Sequence, residues 1–146
     1  MPPQSFESIA KEYLGILHRE YEHAKLSGEY TPELSFRPAI DNYFRGLSTH
    51  LNSHVRQIFE PKRQGNTGHP DWRFHDSKSM GVFGYAEAKA LDPFHTIAIS
   101  THIDQIRKYL HIGNKVILTD GIDFVFFTPS TEIYKLLSLT QKPIRS

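Results

Sequence analysis

The sequence predicts an α/β domain in which helices and strands alternate around one sheet. Two observations carry that reading. Apolar residues recur at helical 3–4 spacing as far as Leu51, whereas from His54 onward the pattern becomes strand-like. A further amphipathic stretch, ending at Leu110, then separates two groups of strands, giving the order α α β β β α β β α. The 146 residues fit one domain, 1–146, with enough chain to bury a core without disulfide or metal staples.

Residues 5–26 place Ile9, Tyr13, Ile16, Leu17 and Tyr21 on one helical face, with Ser5 as N-cap and Gly28 as stop. A second helix has two competing starts, Thr31-Pro32-Glu33 and Ser35-Phe36-Arg37-Pro38, because proline is welcome only in a first turn. Its body is the stripe Ile40, Tyr43, Phe44, Leu47 and Leu51. HVRQIFEP (54–61) reads as a strand, QGNTGHP (64–70) as a loop, PDWRF (70–74) as a short strand and DSKSMG (76–81) as a turn. VFGYAEAKAL (82–91) reads as a central strand. Period 2 puts Val82, Gly84, Ala86, Ala88 and Ala90 on one face, small enough for a helix to pack closely. Phe83, Tyr85, Glu87, Lys89 and Leu91 fall on the other. Asp92-Pro93 opens a third helix carrying Ile99, Ile103, Ile106 and Leu110, with Gly113 as stop. KVILT (115–119) and IDFVFF (122–127) are strands joined by Asp120-Gly121, a two-residue hairpin signal. TEIYKLLSL (131–139) reads as a short closing helix.

Lys+Arg 17 against Asp+Glu 16 leaves a net charge of +1, so any nucleic-acid contact must come from a local patch. The absence of cysteine excludes a disulfide scaffold, thiol catalysis and a cysteine-based zinc site. No apolar run approaches the ~20 residues of a membrane span, and the start MPPQSFESIAKEY has no secretory apolar core. The expectation is a soluble, cytoplasmic protein with no membrane partner.

Three features converge on one place. Asp71 follows Pro70 at the start of a short strand. Glu87 and Lys89 share a face of the next strand with Phe83, Tyr85 and Leu91, so this charged pair is half-buried and a surface ion-pair ladder explains it poorly. Gln105 and Tyr109, at i and i+4, stack on one stripe of the following helix. Two carboxylates on adjacent strands raise each other's pKa unless a cation sits between them. Oxygen donors without thiols favour a hard ion, Mg²⁺ or Mn²⁺. Such an ion activates water and neutralises a scissile phosphate, while a lysine two residues on holds the water or the pentavalent phosphorus. The chemistry that wants this set is metal-dependent phosphodiester hydrolysis.

Pro70-Asp71, fifteen intervening residues, then Glu87-Ala88-Lys89 resembles the signature of the PD-(D/E)XK nucleases. Gln105-Ile106-Arg107-Lys108-Tyr109 resembles the QxxxY motif of their RecB-like branch. The succession TPELSFRPAI, GHPDWRF, GYAEAK, HIDQIRKYL and VILTDGIDFVFF is similar, from about Thr31 to Thr128, to the N-terminal nuclease domain of fused type IIG and type I restriction–modification enzymes. The resemblance implies a restriction-endonuclease-like αβββαβ core, a central mixed sheet flanked by helices. It divides the chain into an N-terminal helical extension (1–29), a nuclease core (30–128) and a C-terminal helix or tail (129–146). It further implies Mg²⁺-dependent cleavage of double-stranded DNA to a 5′-phosphate and a 3′-hydroxyl, with Mn²⁺ able to substitute.

On that resemblance Asp71 and Glu87 match the metal carboxylates, the Ala88 carbonyl is a further ligand and Lys89 matches the catalytic lysine. Gln105 joins the catalytic set and, with Tyr109, borders the site and touches the DNA backbone or the lysine. Glu33 resembles an acidic residue placed near the metal by the preceding helix, a role that Asp41 can exchange with it. Arg107, Lys108, Arg73, Lys62, Arg63 and Lys78 flank the cleft in sequence as DNA contacts, or else form a solvated face. The fused enzymes continue into methyltransferase and target-recognition domains; this chain holds neither, nor a Gly-rich loop for S-adenosylmethionine. It reads as an excised cleavage domain or a small standalone relative, needing a transient dimer or a second enzyme for a double-strand break.

Two other readings stand beside this one. A DNA-binding or assembly module on the same fold would bind DNA without cutting it. Nine histidines invite zinc, with His50 and His54 at i and i+4 and His69 and His75 flanking Asp71, but without an HExxH motif structural or surface roles are expected. His102, one turn before Gln105, can face the cleft and bind phosphate when protonated.

Overall fold

A computed structural model of the chain describes residues 5–27, 36–51, 53–59, 70–79, 81–91, 95–111, 115–128 and 131–139. The elements are α1 (Phe6–Ser27), α2 (Arg37–His50), β1 (Val55–Phe59), β2 (Trp72–Asp76), β3 (Val82–Ala88), α3 (Ile99–His111), β4 (Lys115–Thr119), β5 (Asp123–Thr128) and β6 (Thr131–Ser138). The six strands form one sheet in chain order. Neighbours are antiparallel except β3 and β4, which run parallel because α3 carries the chain back across the sheet. The run α2–β1–β2–β3–α3–β4 is the expected αβββαβ core, and α1 is the extra N-terminal helix.

Both faces of the sheet are packed. Ile9, Tyr13, Leu17 and Tyr21 of α1 and Ile40, Tyr43 and Phe44 of α2 bury one face together with Trp72, Ala86, Ala88 and Phe124. On the other, Ile106 and Tyr109 of α3 pack against Tyr85, Val116, Leu118, Val125 and Phe127. The period-2 reading of β3 thus holds through the strand, with its small face toward α1 and α2. Gly84 is required there, because a Cβ would collide with the Lys115 carbonyl oxygen of β4.

Local chemistry sets the helix ends. Ser5 caps α1, its Oγ accepting the Ser8 N–H at 3.1 Å. For α2 the later start holds: Phe36 is the N-cap, without a side-chain cap bond, and proline stands in the first turn. Leu51 does not continue the α2 stripe; it is the C-cap and 59% exposed.

Four expectations need correction. Residues 131–139 are not a helix but mainly the strand β6, hydrogen-bonded along β5. A nine-residue helix is marginal alone, whereas the open edge of β5 offers a ladder to a segment carrying Thr131, Ile133 and Tyr134. The sheet therefore runs on past residue 128. The third helix starts at Ile99, and just before it the buried Asp123 carboxylate accepts the Ile97 N–H at 3.0 Å; Asp92-Pro93 lies outside the described residues. The β4–β5 turn centres on Gly121 and Ile122, with Gly121 at φ 98° and the Asp120 carboxylate accepting the N–H groups of Ile122 and Asp123. Finally, β3 ends at Ala88, so Leu91 leaves the alternation and packs on the α1/α2 side.

Candidate functional site

The site forms where β2 begins and β3 ends. The β2–β3 register pairs Trp72 with Ala86. One step further sets Asp71 opposite Glu87, and the Asp71 N–H donates both to the Ala86 carbonyl at 3.1 Å and to Glu87 Oε2 at 3.3 Å. Both carboxylates are buried, Asp71 at 4% and Glu87 at 6% exposure. Such burial of acidic side chains is uncommon unless they are paired.

Each carboxylate has its own partners. Asp71 Oδ2 accepts the Ala88 N–H at 2.8 Å, and Asp71 Oδ1 meets Arg37 Nη2 of α2 at 2.7 Å. Glu87 Oε1 accepts from Gln105 Nε2 at 3.1 Å and lies 3.7 Å from Lys89 Nζ. The Tyr109 hydroxyl stands 3.4 Å from Glu87 Oε2, a long contact, and Gln105 Nε2 lies as far from that hydroxyl. Lys89 is anchored by its own N–H, which donates to the Thr119 carbonyl of β4 at 2.8 Å. Burial first, and the Asp71 charge second, push the Glu87 carboxyl up to about 7, against the downward pull of Lys89, the Asp71 N–H and Gln105. The Tyr109 phenol is raised well above its ordinary value by burial and by Glu87.

Asp71, Glu87, Lys89, Gln105 and Tyr109, read from the sequence as one site, are brought together. Ala88 contributes its N–H to Asp71 while its side chain packs in the α1/α2 cluster. Asp41 does not reach the site: its Oδ1 accepts from Trp72 Nε1 at 3.1 Å and its Oδ2 from Arg45 Nε at 3.0 Å, which ties it to the core of the other face. Arg107 and Lys108 lie on the exposed side of α3, with Arg107 Nη1 3.9 Å from Asp104. Arg73 lies two residues beyond Asp71 on β2, partly buried and paired with Tyr85. Lys78 is exposed in the turn after β2. Glu33, Lys62, Arg63 and His69 lie outside the described residues. His50 packs edge-on to Phe6, His75 sits within β2 and His102 is half-buried on α3.

Arg37 is the site residue the sequence did not reveal. With the later start of α2 the one-turn spacing of Arg37 and Asp41 is legible in the sequence, but nothing there ties that turn to Asp71.

A divalent cation suits this donor set. Two buried carboxylates face each other, only oxygen ligands are on offer, and the Glu87 carboxyl is raised first by burial and then by the Asp71 charge, both of which a cation would offset. Among the described residues no group of three or more His, Asp or Glu side chains meets, so the pair forms the acidic part of the site there. No described helix is long and apolar enough to cross a membrane.

No family model and no curated protein matches the sequence. Solved structures do match, among them a chain in the cryoEM structure of a DrdV–DNA complex. That chain is 19% identical, with a TM-score of 0.63, and the match covers 90% of this chain but 12% of the other. The class so defined is a mixed α/β domain with a restriction-endonuclease-like core, a fold shared with part of a much longer chain.

Proposed function

We propose that this chain is a metal-dependent DNA endonuclease domain that hydrolyses phosphodiester bonds to a 5′-phosphate and a 3′-hydroxyl. The observation that carries the reading is the convergence of Asp71, Glu87, Lys89 and Gln105, from three elements, on one buried polar cluster. The fold likeness to a chain solved in complex with DNA supports the choice of substrate.

Asp71 and Glu87, with the Ala88 carbonyl, would hold Mg²⁺ or Mn²⁺. A bound cation of this kind lowers the pKa of its water and offsets charge on the scissile phosphate. Lys89 holds a positive charge beside Glu87, where it orients the attacking water or stabilises negative charge gathering on phosphorus. Gln105 fixes the Glu87 carboxylate through its Nε2–Oε1 bond, and Tyr109 closes the floor behind it. Arg73, two residues beyond Asp71 and partly buried on β2, is a candidate contact to the DNA backbone in this reading. In this reading sequence readout falls to domains outside this chain, such as a methyltransferase and a target-recognition domain, and a double-strand break takes two copies.

The test is incubation of the purified chain with supercoiled plasmid in Mn²⁺, Mg²⁺ or EDTA, beside Lys89→Ala. Nicking that requires metal and drops at least about a hundredfold in Lys89→Ala is the expected result. Undiminished cutting by a clean Lys89→Ala preparation would refute the assignment. DNA binding without any cutting by the wild type would favour a catalytically silent binding module.

A further inference from the structure

We propose that Arg37 is a phosphate-binding residue held in reserve by Asp71: the guanidinium and a divalent cation compete for the same carboxylate, and binding of the cation hands Arg37 to the DNA backbone. The proposal rests on the nuclease reading above and deepens it.

Four features support it. Both oxygens of the Asp71 carboxylate are engaged, Oδ2 by the Ala88 N–H at 2.8 Å and Oδ1 by Arg37 Nη2 at 2.7 Å. The backbone N–H is fixed in the sheet, so the guanidinium is the partner that can leave. A cation placed between Asp71 and Glu87 would stand within a few ångströms of that guanidinium, where like charges in a buried setting repel strongly. Charge balance points the same way. Arg37 and Lys89 offset the two ionised carboxylates one for one, so a dication in addition leaves the cluster positive and ready for an anion.

The third feature is the guanidinium itself, whose planar fork matches two phosphate oxygens as well as it matches a carboxylate. The Arg37 side chain is 16% exposed, so it keeps an edge open to solvent and to a ligand. The fourth is its position at the start of a fourteen-residue helix that has no acidic residue in its first turn and no side-chain cap bond, a setting that adds to the local positive potential. Arg37 thereby couples the two ligands: metal releases the phosphate ligand, and phosphate bound to Arg37 leaves Asp71 to the metal.

The experiment uses the intact chain, Arg37→Gln and Arg37→Lys. Calorimetric titration with Mn²⁺ in the absence of DNA is expected to give about tenfold tighter binding to Arg37→Gln than to wild type, because the competitor is gone. Fluorescence anisotropy with a short labelled duplex is expected to give equal affinities in EDTA but about tenfold weaker binding by Arg37→Gln in Ca²⁺. Arg37→Lys, which keeps the charge and loses the fork, moves both quantities in the same directions by smaller factors, and serves if Arg37→Gln does not fold. Mn²⁺ affinity that stays level or falls in the folded variants overturns the proposal, since Arg37 would then merely position Asp71. An equal loss of DNA affinity in EDTA and Ca²⁺ overturns it too. If wild type itself shows no Mn²⁺ binding that Asp71→Asn removes, the nuclease reading fails and the proposal with it. If wild type binds Mn²⁺ and the Arg37 variants match it, the proposal alone falls.

Discussion

Replacing Glu87 by Gln is expected to stabilise the protein in EDTA at about pH 8 and to leave it nearly unchanged at about pH 5. The Glu87 carboxyl is pushed from 4.5 up to about 7, chiefly by burial and then by Asp71. In the window between those values the folded state keeps a proton that the unfolded state has lost. Fewer protons on the unfolded chain mean that stability falls as pH rises through the window. The contribution is fully present below 4.5 and gone above about 7. At roughly 1.4 kcal/mol per pKa unit, the loss on passing from acid to neutral pH is on the order of 3 kcal/mol. Glutamine is shaped like the protonated acid and has no charge to desolvate, so the variant escapes that loss.

Urea unfolding followed by tryptophan fluorescence, with an m-value of about 2 kcal/mol/M, would register the gain at pH 8 as a midpoint higher by about 1–2 M. Taking the difference between variant and wild type at each pH cancels the titrating groups that do not interact with Glu87. Addition of Mn²⁺ at pH 8 should then close the gap, because a cation stabilises the ionised Glu87 that only the wild type offers. A difference that is the same at both pH values, or a wild type more stable than the variant at pH 8, would refute the reasoning.

Two further substitutions test the frame that carries the site. Gly84→Ala forces a methyl group against the Lys115 carbonyl, a backbone atom that cannot turn aside, and should cost about 1–3 kcal/mol in a urea melt by prising β3 from β4. Tyr13→Phe removes a hydroxyl that donates to the Gly121 carbonyl at 2.6 Å inside the core, and the stranded carbonyl should cost about 1–3 kcal/mol by the same measurement.

What the sequence disclosed was what local period and spacing can carry. The alternation of β3 assigned Ala86 and Ala88 to one core and Tyr85 and Glu87 to the other side, because residue i and i+2 share a face whatever the rest of the chain does. The i, i+4 relation of Gln105 and Tyr109 likewise survives any docking of the helix, and both side chains reach Glu87. The misread parts depend on groups distant in sequence. Whether 131–139 is helix or strand turns on the free edge of β5, and the chain entering α3 is tied to Asp123, 26 residues beyond the Ile97 N–H it binds. Arg37 is separated from Asp71 by a gap no periodic pattern spans, and Asp41 looked equivalent to Glu33 until Trp72 and Arg45 claimed it.

The meeting of the two carboxylates has a cause that local pattern hides. Near the β2–β3 turn His75 pairs with Val82, but beyond it Phe74 pairs with Gly84, so β3 carries one extra residue, Phe83, in a bulge. Carried forward from His75 and Val82 without that bulge, the register would place Asp71 opposite Ala86 and Glu87 opposite Pro70. The two acids would then point to different faces, since a one-residue slip in a strand inverts every side chain. The bulge moves the register by one and sets Asp71 against Glu87, on the side where α3 delivers Gln105. Phe83 itself is half-exposed and contributes little to the core, as a residue retained for its count more than its packing would be. The proposed chemistry thus hangs on a single inserted residue a dozen positions from the acid it aligns.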